Sequence, residues 1–170
     1  MFMKFRLQLL MFFTLLLTKA TLAQTYITHP EDKQPPAEEV ALQWFTNFDE
    51  AKKEAKKSNR PILMYFNGSD WCAPCRVLKK DILDTDRFIA LSERFVLLMV
   101  DIPHRVDIVS PEILAHNKRL RKKYNKEDVF PAMLALNARG KVLDRIDSYS
   151  FMMHETSYHY AFFDRVLARY

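Results

Sequence analysis

Apolar and polar positions fall into blocks along this chain that are long enough to predict elements. An apolar run, LQLLMFFTLLL at 7–17, opens the sequence. QTYITHPEDKQPPAEEV (24–40) follows, polar, with three prolines and no sustained apolar period. We expect it to be a mobile lead-in. ALQWFTNF (41–48) predicts a short strand ending at Asn47, which can cap the next helix with Glu50 as its capping-box partner. In FDEAKKEAKKSN (48–59), Phe48, Ala51 and Ala55 share one helical face, and the lysines with Glu54 form a solvated opposite face. Arg60-Pro61 ends that helix. ILMYF (62–66) is almost wholly apolar, as suits a central strand buried on both faces. NGSDW is the loop leaving it, where Gly68 is expected to supply a backbone angle that other residues resist.

The second half continues the alternation. A helix is predicted from about Ala73 to Lys80, a second helical piece over TDRFIALSERF, and a buried strand at FVLLMVD. SPEILAHNKRLRKKY starts with Ser110 as cap and Pro111 in the first turn, and it lines Ile113, Leu120 and Tyr124 along its apolar face. MLALNARGKVLDRI predicts a hairpin turning at Asn137–Gly140. The last helix, roughly 155–169, is expected to bury Phe163, Val166, Leu167 and Tyr170. Strands alternating with helices imply crossover connections, so the fold class is α/β: a mixed sheet with helices on both faces and an antiparallel hairpin at its C-terminal end.

Composition changes the picture at the N-terminus. MFMKFR, the apolar run and the small residues of TKATLAQ have the order of a secretory signal peptide, with cleavage expected after Ala23. The run is shorter than the ~20 residues of a membrane-spanning helix; left uncleaved, it would be an N-terminal anchor. The expected organisation is therefore a leader at 1–23, the lead-in at 24–40 and one domain at 41–170. Lys4, Arg6 and Lys19 lie in the leader, so most of the formal net charge of +5 belongs to it. The basic balance therefore gives no argument for a nucleic-acid partner.

The candidate chemistry sits in SDWCAPCRVL (69–78), which holds the chain's two cysteines, Cys72 and Cys75. Two cysteines so close together do not make a disulfide scaffold, and a bridge over so short a loop constrains the unfolded chain little. Cys72 falls where a buried strand gives way to a helix. Unpaired N–H groups and the positive end of the helix dipole there favour thiolate, the reactive form. Pro74 lies in the first turn, where proline is tolerated. Cys75 is one turn further in, so Cys72 is expected to be exposed and nucleophilic and Cys75 sheltered. Two other readings stay open: a soft-metal site using His104, His116, His154 or His159 as a third ligand, and a non-catalytic module that holds a partner through MMHETSYHYAFF.

From about Leu42 to Tyr170 the sequence resembles the thioredoxin superfamily, on PILMYFNGSDWCAPC, on VFPAMLAL and on the element order. Within it, F-x-G-S-D-W-C resembles exported proteins related to the soluble domain of membrane thiol:disulfide interchange proteins. The resemblance implies a thioredoxin fold and a redox-active Cys72–Cys75 disulfide, with Cys72 attacking and Cys75 resolving. It implies that Trp71 shields the site, that Pro131 is a cis-proline beside the cysteines, and that Phe130 offers backbone groups to a substrate segment. Asp70 is expected to be a surface acid tuning the local potential. No metal and no cofactor beyond the cysteines is implied. The expected protein is a periplasmic or secreted monomer. Its expected partners are exported proteins with disulfides and a membrane electron donor. The Ala-Pro pair and Trp71 resemble reducing thioredoxins more than oxidants. In two respects the sequence departs from the family. Tyr65 stands where many members carry a buried aspartate, and PHRVDIVSPEILAHN adds length after the central strand, as a substrate-facing lid, a partner contact or an ordinary surface loop.

Overall fold

The computed structural model describes residues 42–170. The expected leader and lead-in therefore lie outside the described residues. Five strands form one sheet: β1 (Trp44–Phe45), β2 (Ile62–Asn67), β3 (Val96–Asp101), β4 (Ala132–Leu136) and β5 (Val142–Asp147), in the order β1-β3-β2-β4-β5. β1, β3 and β2 run parallel, while β4 is antiparallel to both β2 and β5. The helices are α1 (Phe48–Ser58), α2 (Ala73–Leu78), α3 (Asp86–Ser92), α4 (Pro111–Tyr124) and α5 (Ser157–Arg169). α2 runs on into a π-helical turn at Lys79–Leu83. No helix among the described residues is long and apolar enough to cross a membrane.

The period-two geometry of a strand divides the core in two. From β2, Ile62, Met64 and Phe66 pack with Phe48, Ala51 and Ala55 of α1 and with Leu120 and Tyr124 of α4. Leu63 and Tyr65 face the other way, toward Leu78, Ile82, Phe88, Phe162 and Phe163. β2 is thus covered on both sides, which is why its sequence is apolar without alternation.

Local signals act largely as expected. Asn47 caps α1 by accepting from the N–H groups of Asp49 and Glu50, so Glu50 takes part through its backbone. α1 ends where Asn59 turns left-handed. Ser110 caps α4, and Asn137 organises the hairpin turn, closed by Gly140 at φ 80°. Three expectations change. β1 keeps only two paired residues, and the helix after Cys75 passes into the π turn instead of stopping at Lys80. In α5 the buried set is His159, Tyr160, Phe162, Phe163 and Val166, whereas Tyr170 is exposed because it lies past the last helical turn.

Candidate active site

The strand-to-helix junction after β2 is tied down by polar residues. Asp101, at the end of β3, pairs with Asn67 in the sheet register. Its carboxylate accepts from the Ser69 N–H at 2.9 Å, the Ser69 hydroxyl at 2.6 Å and the Asn67 amide at 3.4 Å. The N–H groups of Trp71 and Cys72 both donate to the Gly68 carbonyl, closing the turn. Gly68 is required for space and not for its angle: a Cβ there would overlap the Trp71 indole. The indole N–H donates to the Ile102 carbonyl at 2.8 Å. Its ring stacks on His104 at 5.1 Å and meets the Phe130 ring edge-on at 5.0 Å.

Cys72 is the N-cap of α2, and Pro74 sits in its first turn. The cysteines are joined as a disulfide with their Cα atoms 5.3 Å apart, and Cys72 Sγ accepts from the Cys75 N–H at 3.2 Å. Cys72 is 2% exposed and Cys75 1%. The expected exposure of Cys72 is thus corrected: its bond to Cys75 draws the sulfur against the first turn of the helix.

Phe130 and Pro131 come to the same end of the sheet. Their peptide bond is cis, and the β2–β4 ladder stops at the Phe66–Ala132 pair, with Phe130 beyond it. The Pro131 carbonyl accepts from the Ser148 N–H at 2.8 Å.

Tyr65 is buried behind α2, and its hydroxyl donates to the Cys75 carbonyl at 3.3 Å. Burial, then the charge of Asp101, pushes the phenol upward, so it stays protonated and supports the helix as a donor. Asp70 is more than a free surface acid. It accepts from the N–H groups of His104 and Arg105, anchoring the segment after β3. Desolvation opposes its charge, but those N–H groups outweigh it and hold the carboxyl below its usual range.

The histidines are dispersed. His104 lies on Trp71, His116 Nε2 accepts from the Phe48 N–H at the start of α1, His154 pairs with Asp81, and His159 is buried in α5. Among the described residues no three metal-ligating side chains are grouped to hold an ion. Sequence reasoning missed Asp101 and Asp81. The first was visible as the one acid ending an apolar strand; the second has partners 68 and 73 residues away.

Residues 43–138 match the family model described as thioredoxin-like. The chain belongs to the thioredoxin-like family. The thioredoxin-related protein DsbJ of Chlamydia pneumoniae is 30% identical over 111 residues, covering 64% of this chain and 31% of its own length. The disulfide bond reductase DsbH of the same organism is 32% identical over 112 residues, 65% of this chain and 66% of its own. The chain thus spans about a third of one curated relative and just under two thirds of the other. A solved DsbH oxidoreductase superposes with a TM-score of 0.59 at 30% identity, over 64% of this chain and 74% of that one. The five-stranded mixed sheet is accordingly a thioredoxin-like fold.

Proposed function

We propose that this thioredoxin-like chain is an exported thiol:disulfide oxidoreductase that reduces disulfides in exported client proteins. One observation carries the reading: the two cysteines are bonded across the first turn of α2, where Cys72 Sγ already accepts an N–H. The same interaction stabilises a thiolate on Cys72 once the bond is open. In the reduced protein, the Cys72 thiolate attacks one client sulfur. A bond forms between Cys72 and the client, and the other client sulfur leaves and takes a proton. Cys75, deprotonated, then attacks Cys72 Sγ and releases the second client thiol. The client gains two electrons and the enzyme returns to the disulfide.

Phe130, beyond the end of the β2–β4 ladder, would pair with an extended client segment, beside the Trp71 ring that it meets edge-on and that stacks on His104. The reducing direction draws on the similarity to a relative named a disulfide bond reductase. In an oxidising compartment the spent disulfide needs a membrane electron donor, and export rests on the leader-like opening.

Equilibration with a thiol redox buffer tests the direction. A potential near ~−270 mV supports a reductase, and one near ~−120 mV overturns it. Cys72→Ser should abolish exchange, while Cys75→Ser should accumulate mixed disulfides with clients. Undiminished exchange by Cys72→Ser would sink the enzyme reading.

A further inference from the structure

α1 and α4 lie together on one face of the sheet. Phe48, Ala51 and Ala55 of α1 and Leu120 and Tyr124 of α4 share one core with Ile62, Met64 and Phe66 of β2. The two helices also touch. The Phe48 N–H donates to His116 Nε2 at 3.1 Å, and the Phe48 and Tyr124 rings meet edge-on at 5.7 Å. With those positions inward, the helical period turns the remaining side chains away from the sheet. Lys53, Lys56 and Lys57 are exposed on α1, and Lys118, Arg119, Lys122 and Lys123 on α4. The lysine side of α1, a solvated face when read alone, is thus half of a larger surface.

Nearby acids are already engaged. Asp49 pairs with Lys52, Glu54 with Arg60 and Asp128 with Arg121. Among the described residues, none of the exposed cations of α1 and α4 is paired with a carboxylate, and Lys123 lies over the Tyr124 ring. On the other face of the sheet the charges interleave. Lys79 pairs with Asp84, Asp81 with His154 and Arg165 with Asp144, and Arg87 lies over the Tyr160 ring. The α1–α4 surface is also without an apolar centre, since neither helix exposes a large apolar side chain among the described residues. That composition discriminates between partners. Protein interfaces have an apolar core and are depleted in lysine. Single-stranded nucleic acids are held by aromatic side chains on which bases stack. A layer of anionic headgroups needs neither, because charge alone attracts it.

We propose that the outer faces of α1 and α4 together form a docking surface for a bilayer rich in anionic phospholipid. The proposal rests on the export reading, which brings the chain to such a bilayer, and it is separable from the chemistry at Cys72. Each cation within a Debye length of the headgroups adds about fivefold to binding. The long apolar stem of lysine lets its ammonium reach them. The π-helical turn that continues α2 packs through Ile82 and Leu83 on the opposite face of the sheet, so lipid contact leaves the disulfide uncovered. Docking also keeps the spent protein beside the membrane electron donor that the proposed reductase requires.

Flotation of the full chain with phosphatidylcholine vesicles, with and without phosphatidylglycerol, tests this. The readout is the preference for the anionic vesicles. Lys53→Gln/Lys57→Gln/Lys122→Gln should lower that preference by about a hundredfold, three steps of about fivefold each. Lys80→Gln/Arg94→Gln/Arg169→Gln removes the same charge from outside the α1–α4 face, and should change it by less than about threefold. The 7–17 run and the cations around it are common to all variants, so the comparison isolates the face. Near 1 M salt, where the Debye length is ~3 Å, the wild-type preference should fall to about one. No wild-type preference, or equal losses in the two triple variants, overturns the docking surface. Tighter binding to duplex DNA than to the anionic vesicles at the same salt also overturns it. Exchange with a small disulfide in solution should be unchanged in both triple variants, so a failed flotation leaves the oxidoreductase reading standing. Failure of the wild type to exchange removes that reading and leaves the flotation result as it is.

Discussion

Tyr65 and Gly68 lie within ten residues of the cysteines, and each serves through a neighbour. The Tyr65 phenol is a donor to the Cys75 carbonyl and stays protonated in its buried setting. Tyr65→Phe should therefore cost about 1 kcal/mol of stability, the worth of one buried hydrogen bond, in denaturant unfolding. The pH profile of mixed-disulfide resolution should not move. A shifted profile would make Tyr65 a proton carrier after all. At Gly68 a methyl group meets the Trp71 indole, which is already fixed by the Ile102 carbonyl, His104 and Phe130. Gly68→Ala should cost about 1–3 kcal/mol by overpacking and shift the Trp71 emission as the ring is displaced. Neither role was readable from the residue alone. Gly68 suggested an angle because glycine permits one, and the true constraint is a ring three positions on. The exposure expected of Cys72 failed for a related reason: the sulfur's surroundings depend on the bond it makes.

Elements were more legible than residues, and the reason is periodicity. ILMYF and VLLMVD gave no alternation and are buried on both faces, while Phe48, Ala51 and Ala55 marked the inner face of α1. Caps were readable too, since Asn47 and Ser110 act within three residues of themselves. Replacing Asn47 with alanine should lower stability by about 1 kcal/mol, and glycine at the same place should cost only a few tenths. Equal losses for the two would mean the side chain is not the cap. The π turn after α2 was not foreseen, because its visible purpose lies across the molecule. It carries Asp81 to Tyr149 and His154, and no local pattern encodes partners so distant.

At the scale of the whole molecule, two histidines couple folding to pH in the same direction. His159 is buried in α5, and burial pushes its imidazole down to about 4. His116 is also lowered, by burial and then by Arg119, and its Nε2 accepts the Phe48 N–H only when unprotonated. A depressed histidine leaves the folded state with fewer bound protons than the unfolded state below the ordinary value near 6.5. Stability is therefore full above that value and declines as pH falls toward 4, with His159 alone contributing on the order of 3 kcal/mol over the window. His159→Phe should flatten the slope of unfolding free energy between pH 6.5 and 4, measured by urea titration at several pH values. An unaltered slope would place the pH sensitivity elsewhere.

Under the proposed function, the sheet order has a consequence for what happens after exchange. A client whose disulfide has just been opened is at its most prone to unfold and to add strands to whatever edge it meets. The outer strands of this domain are poor templates. β1 pairs over two residues, and β5 carries Asp144, Arg145 and Asp147 along its length. The reactive loop hangs from the innermost strand, β2, while the outermost strands discourage further pairing. If the chain acts as proposed, a loosened client would meet no long free strand edge and would depart without drawing the protein into an aggregate.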